Sequence, residues 1–301
     1  MKKRFLSVFM VLCMMLTMVP SAFAEGADGD TLQSKIDQAS EYATIALDKA
    51  YTESITIPAG KTITLDLNGW TLTNAEGKHT ITNKGTLTGT VDNVSHGKGA
   101  VYNDAGATCT ILGGNYTRSQ ENGQSDSDSG GNSWYAIKNF GTMTIGQEGA
   151  SNDAVKVSFT GKYSSLVANG WQDGKTAGNT NKEPAHVQDA QLTIHSGTFT
   201  GGINTIKNDD YGNLTITGGV FENVAHYAVM NWNTASISGG TFHSDEWAVV
   251  NCGNSNLSMD KGELTISGGS FSGTNGSVSR TTDAAAPQIT GGTFSSDVSA
   301  F

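Results

Sequence analysis

Asp209 and Asp210 are the residues that first suggest chemistry, because they stand together beside Tyr211, with Trp171 and Trp232 at related positions in the chain. Carboxylates and aromatic rings are what polysaccharide chemistry uses: the carboxyl groups act as acid, base or hydroxyl ligand, and the ring faces stack on sugars. Hydrolysis of a glycosidic bond needs two carboxyl groups facing one another across the substrate. Neighbours on a strand point to opposite faces, so Asp209-Asp210 needs a third partner, and the sequence pattern supplies none. The arginines after residue 24 are Arg118 and Arg280, and neither falls beside an acid cluster. The six histidines (His79, His96, His186, His195, His226 and His243) occupy unrelated repeat positions and read as surface or loop residues. Asp126-Ser127-Asp128-Ser129-Gly130 has the first half of a calcium loop without its closing glutamate, and reads as a polar loop. No Ser/His/Asp or Cys/His arrangement, phosphate loop or zinc spacing is found. The expectation is therefore no catalytic residue, no metal and no cofactor, with Trp171, Asp209, Asp210, Tyr211 and Trp232 as candidate ligand contacts.

Whether those five residues can meet depends on the elements that carry them, and these are set by a repeat. LTIHSGTF, LTITGGVF, ASISGGTF, LTISGGSF and PQITGGTF place an aromatic at Phe199, Phe221, Phe242, Phe271 and Phe294, in steps of 22, 21, 29 and 23 residues. Tyr116 and Phe159 continue the series upstream, about two periods apart. This period, with Thr, Val and Ile in the runs and no helical spacing, predicts a solenoid of strands with one coil per repeat. A second set of columns agrees. Asn83, Asn103, Asn139, Asn169, Asn208, Asn231 and Asn251 align, and two residues before each stands Ile81, Val101, Ile137, Val167, Ile206, Val229 or Val249. A column that is always β-branched is an inward one, each side chain worth roughly 1.5–3 kcal/mol on burial. The position between holds Thr82, Tyr102, Lys138, Ala168, Lys207, Met230 and Val250, a mixture expected to face solvent. In the other phrase Cys109, Met143, Leu192, Leu214, Ala235 and Leu264 precede Ile111, Ile145, Ile194, Ile216, Ile237 and Ile266, with a hydroxyl residue between them each time, which is a half-buried strand. The asparagines suit left-handed corners that bond to neighbouring coils, and the glycine pairs mark bends.

The Asn corner then becomes an edge. The residue after each asparagine is Phe140, Asp209, Trp232 or Cys252, with Trp171 one position further on in its coil. Trp171, Tyr211 and Trp232 are expected in a row, with Asp209 and Asp210 between them, spaced by the coil rise of ~4.8 Å. Such a row suits an extended glycan; aromatics at corners also serve simply to close gaps over the core. Interruptions at 117–133, 146–155, 170–190 and 252–263 are the loops in which function would concentrate. A third use of the surface is the outward file Thr110, Thr144, Thr193, Thr215, Ser236 and Thr265, the kind of hydroxyl row that binds ice in some solenoids, although threonine is ordinary in strands.

MKKRFLSVFMVLCMMLTMVPSAFA has a basic start, an apolar run and a small-residue end, a secretory signal with cleavage after Ala24. Residues 25–301 would form one domain, with no membrane span left after cleavage. Cleavage removes Lys2, Lys3 and Arg4 and no acid, so 18 basic residues become 15 against 28 acidic ones, and the formal charge goes from −10 to −13. That balance argues against nucleic acid as a partner. Cys109 and Cys252 lie some five coils apart, too far for a disulfide. Asp30 is the expected cap of a short helix with Leu32, Ile36 and Ala39 on one face, covering the first coil. The end of the chain arrives partway through a coil, which suggests either a shortened form or last residues that fold over the end.

TLQSKIDQASEYATIAL, followed by ESITIPAGKTITLDLNGWTLTN, resembles the opening of right-handed parallel β-helix proteins of the pectate-lyase-like superfamily. More narrowly, it is similar to repeat regions of secreted or surface proteins of Gram-positive, often gut-dwelling, bacteria. The likeness spans about Thr31 to Phe301 and implies an all-β right-handed parallel β-helix of about 20–23 residues per coil with a short N-terminal capping helix. That superfamily contains lyases, hydrolases, adhesins and tail spikes, so it implies the fold and not the activity. The expected role is a secreted or cell-surface protein, adhesin-like or glycan-binding and without catalysis, meeting an extracellular glycan or a host or envelope protein. The rival expectation is a polysaccharide lyase or glycoside hydrolase, and the third is a purely structural surface protein.

Overall fold

A computed structural model describes residues 31–74, 78–90, 99–118, 135–159, 164–170, 189–253 and 262–301. The chain is a parallel β-helix. One coil shows the plan: Gly212–Ile216 lies on a first face, Val220–Asn223 on a second and Tyr227–Asn231 on a third. Each pairs in parallel with its counterparts one coil before and after. The third face stacks nine strands, from Ile55–Ile57 to Gly276–Arg280. The first and second faces are joined through the long strand Thr108–Thr117, which contains the corner within it at Gly114, φ +106°.

The inward columns pair as the alternation requires. Ile81, Val101, Ile137, Val167, Ile206, Val229 and Val249 are consecutive register partners and are all buried. So are Ile111, Ile145, Ile194, Ile216, Ile237 and Ile266 on the first face. On the second face Phe199, Phe221, Phe242, Phe271 and Phe294 stack nearly parallel, with centroids 4.7–5.1 Å apart. The ring stack ends upstream at Val157, which pairs with both Tyr116 and Phe199; Phe159, expected in this column, instead lies opposite Gly201.

The two glycines of each pair have different tasks. A Cβ on Gly239 would come within 2.3 Å of the Thr217 carbonyl oxygen of the previous coil, so the first glycine allows the coils to approach. Gly240 holds φ at +104° and lies under the Phe242 ring, so the second supplies a left-handed bend.

At the third-to-first corner the seven asparagines form a ladder. Each Nδ2 from Asn83 to Asn231 donates to the Oδ1 of the next asparagine at 2.7–2.8 Å, and all seven side chains are buried. A primary amide has a donor and an acceptor on one rigid plane, so it propagates such a chain while also bonding the turn carbonyls beside it.

The helix Leu32–Gln38 covers the first coil and buries Leu32 and Ile36, with Ala39 packed partly buried beside them. Its cap is Thr31, whose hydroxyl accepts from Ser34 N–H, rather than Asp30, which lies outside the described residues. Charges match both helix ends: the Glu53 carboxylate accepts from Leu32 and Gln33 N–H, and the Lys61 ammonium donates to the carbonyls of Ile36, Asp37 and Ala39. The Gln33 amide donates to the Thr56 carbonyl at 3.1 Å and accepts from its N–H at 2.6 Å, standing in for the missing strand beside Ile55–Ile57. Pairing begins at Tyr42–Ala46, which forms the first strand of the first face beside Thr62–Asp66. At the far end Phe294, Val298 and Phe301 are partly buried against the core.

Candidate functional site

The ladder fixes the corner where Asp209 and Asp210 lie. After Asn208 the chain turns through Asp209, Asp210 and Tyr211 and enters the first face at Gly212. Gly212 N–H closes the turn on the Asp209 carbonyl at 3.0 Å, and Tyr211 takes up the left-handed conformation at φ +63°. Trp232 occupies the equivalent corner of the next coil, its N–H donating to the Asn208 carbonyl at 2.8 Å.

Both carboxyl groups are buried, each residue 1% exposed. Asp209 lies between two lysines, with Oδ1 2.9 Å from Lys207 Nζ and Oδ2 3.9 Å from Lys138 Nζ. Lys138 and Lys207 stand two coils apart in the same outward file, separated by Ala168. The sequence reading has that file facing solvent, and here it needs correction: Lys138, Ala168, Lys207 and Val250 are all buried, the two lysines included. The cause is local, since Asp209 reaches both ammonium groups and the Lys138 ammonium also lies over the rings of Tyr135 and Phe140, at 4.5 and 4.8 Å from their centroids. Burial pushes Lys138 down to about 8, against the pull of Asp209. Lys207 also loses hydration on burial, but Asp209 and the Tyr135 hydroxyl outweigh that and hold it above its ordinary value. Burial pushes the Tyr135 hydroxyl up to about 12.

Four of the five expected ligand contacts thus meet at one corner, Asp209, Asp210 and Tyr211 in one coil and Trp232 in the next. They do not form the open row that was expected. Asp209 is engaged by its own lysines, Asp210 is buried beside it, and Tyr211 and Trp232 are half-buried. Trp171 and the Asp126–Gly130 run lie outside the described residues. Lys138, Lys207, Tyr135 and Phe140 were missed as members of this cluster. The available signal was that two lysines share a file with Ala168, Met230 and Val250, a column too apolar for a fully wet surface.

Elsewhere, Arg118 is buried with its guanidinium 4.4 Å from the centre of the Phe159 ring, so it packs against the core rather than facing an acid cluster. Cys109 and Cys252 are buried and form no disulfide with one another. Among the described residues no three His, Cys, Asp or Glu side chains are placed to hold a metal ion, and no helix is long and apolar enough to cross a membrane. Comparison with protein-family models, curated proteins and solved structures found no match to this chain.

Proposed function

We propose that this chain is a secreted or cell-surface β-helix protein that binds an extracellular glycan without cleaving it. The observation that supports this best is the environment of Asp209. A glycosidase or lyase on this scaffold would set a carboxyl group against a second carboxyl or a base across an open cleft. Asp209 is instead held in a buried layer, with Lys207 Nζ at 2.9 Å and Lys138 Nζ at 3.9 Å, so its carboxylate is not presented to a ligand. The signal-like N-terminus supports secretion, and the acidic balance favours neutral ligands over anionic ones. Kinship with the pectate-lyase-like superfamily and with bacterial surface repeats is part of the same proposal.

The test is a glycan-array screen run beside a polysaccharide-degradation assay on the purified protein. Binding without new reducing ends or unsaturated products is the expected outcome. Product formation would replace the proposal with a lyase or hydrolase. Silence in both assays would replace it with a structural or protein-binding role at the cell surface.

A further inference from the structure

The corner between the second and third faces carries a group of side chains that the repeat columns do not reveal. In one coil it runs from Asn223 through Val224, Ala225 and His226 to Tyr227; in the next it runs from Ser244 through Asp245 and Glu246 to Trp247. Buried polar side chains lock both turns. The Asn223 Oδ1 accepts from Ala225 and His226 N–H at 2.7 and 2.6 Å, and the Ser244 hydroxyl donates to the His226 carbonyl at 2.6 Å and accepts from Glu246 N–H at 3.0 Å. The side chains that these turns project are held by the scaffold and not by a free loop.

Tyr227 and Trp247 are register partners on adjacent strands and both are half-buried. The Trp247 ring lies against Gly276 of the following coil, where a Cβ would come within 2.4 Å of its Cζ3, so the glycine makes room for the indole. Tyr227 stacks on the His226 imidazole, with centroids 3.5 Å apart and an angle of 27° between the planes. Val224, 65% exposed, adds apolar surface at the same turn.

The polar groups beside these rings are held in place by their neighbours. Asn204 Nδ2 donates to the Ser165 hydroxyl at 3.2 Å, which turns its Oδ1 towards His226 Nδ1 at 3.2 Å. The imidazole is thus held at both nitrogens, Nδ1 by the Asn204 amide and Nε2 beside Glu246. Burial keeps His226 below its ordinary value, against the pull of Glu246, which favours the neutral ring. Nε2 lies 3.5 Å from Glu246 Oε2, and the two side chains are 33% and 39% exposed. An imidazole nitrogen and a carboxylate stand side by side, both partly exposed. A pair of neighbouring hydroxyl groups suits both, since a hydroxyl donates to a carboxylate and either donates to or accepts from an imidazole nitrogen, and the ring that carries them has an apolar face for the indole.

We infer that His226, Tyr227, Glu246 and Trp247 form a subsite for a neutral pyranose glycan. Trp247 is the stacking platform, and the Glu246 carboxylate and His226 Nε2 hydrogen-bond vicinal hydroxyls. This rests on the glycan-binding proposal, and it places the contact at the opposite edge of the third face from Asp209. Neutral sugars are specified because a carboxylate faces the ligand on an acidic protein.

The experiment is isothermal titration of the full secreted protein with hexasaccharides of glucose, xylose and mannose, with polygalacturonate as the anionic comparison. The expected result is saturable binding of at least one neutral hexasaccharide in preference to polygalacturonate. Trp247→Ala should weaken it at least tenfold and Glu246→Gln several-fold, with circular dichroism unchanged in both and Thr215→Ala binding like the parent. Glu246→Gln keeps shape and solubility, so it tests the subsite even if Trp247→Ala folds poorly. Binding that survives both substitutions but is lost in Trp232→Ala would overturn this subsite and leave the glycan proposal standing. Preference for polygalacturonate would overturn the subsite as described. Failure of the parent to bind any of the sugars would overturn both.

Discussion

Replacing Asn208 tests whether the asparagine ladder holds the coils together. Its Oδ1 accepts from Asn169 at 2.8 Å, and its Nδ2 lies within bonding distance of the Asn231 Oδ1 (2.8 Å), the Gly212 carbonyl (2.9 Å) and the Thr234 carbonyl (3.0 Å). Two N–H groups shared among three acceptors amount to two or three useful bonds, plus the one accepted. Each is worth about 1 kcal/mol net, and a buried polar atom left without a partner costs about 1–3 kcal/mol more. Asn208→Ala should therefore destabilise the protein by about 3–5 kcal/mol. Asn208→Asp keeps the shape but turns a carboxylate towards three acceptor oxygens. The buried charge raises the folded-state pKa of the new carboxyl above its unfolded value, so the folded form is favoured at low pH and loses stability as pH rises through that folded pKa. The aspartate variant should thus be less stable than the alanine variant at pH 8 and recover towards it at pH 5. Denaturant midpoints followed by far-ultraviolet circular dichroism at both pH values give the comparison. An alanine cost below about 1 kcal/mol, or an aspartate variant whose pH response matches the parent's, would refute the ladder as a stabilising device.

Two further outcomes follow from the packing. Lys138, pushed by burial to about 8 from an ordinary 10.5, binds fewer protons when folded than when unfolded between those values, so it makes stability rise with pH across that window. The parent should gain stability relative to Lys138→Met from pH 8 to 10.5, by at most about 3 kcal/mol, and the subtraction removes groups common to both proteins; a flat difference would show that the ammonium is hydrated. Phe242 is buried between Phe221 and Phe271, with centroids 4.7 and 4.8 Å away, so Phe242→Ala should cost about 3–5 kcal/mol in chemical denaturation. Phe294→Ala, at the half-buried end of the stack with one neighbour at 5.1 Å, should cost clearly less, and equal costs would argue against the stack as a continuous core element.

The columns were legible because each carries a residue type that only one environment explains. A position always Val or Ile, two before a constant Asn, can be aligned without knowing the fold, and its register proved right coil by coil. Phe159 shows where this stops. Val157 and Phe159 are two residues apart, both inward and both buried, so alternation cannot choose between them. Only strand pairing shows that Val157 meets Phe199 and that Phe159 lies beside Gly201, where its ring receives the Arg118 guanidinium. The lysines show a second limit. Alternation gives the side on which Lys138 and Lys207 emerge, but burial depends on what stands beside them, and Asp209 reaches both from a corner no periodic rule describes.

The two edges of the third face differ for the same reason. At the Asn corner the ladder demands one residue type, so everything near it is easy to align, and attention falls on Asp209, Asp210, Tyr211 and Trp232. The demand that makes the corner visible also occupies it: the amides take the turn carbonyls, and Lys207 lies 2.9 Å from the buried Asp209. At the opposite corner the residue before the turn varies among Gly201, Asn223, Ser244 and Gly273, so no single letter marks the register. Variation there leaves positions such as Glu246 and Trp247 less committed to holding the coil. An imidazole and a carboxylate about one-third exposed, beside an indole packed on a glycine, are therefore a better place for a ligand than a carboxylate buried between two lysines.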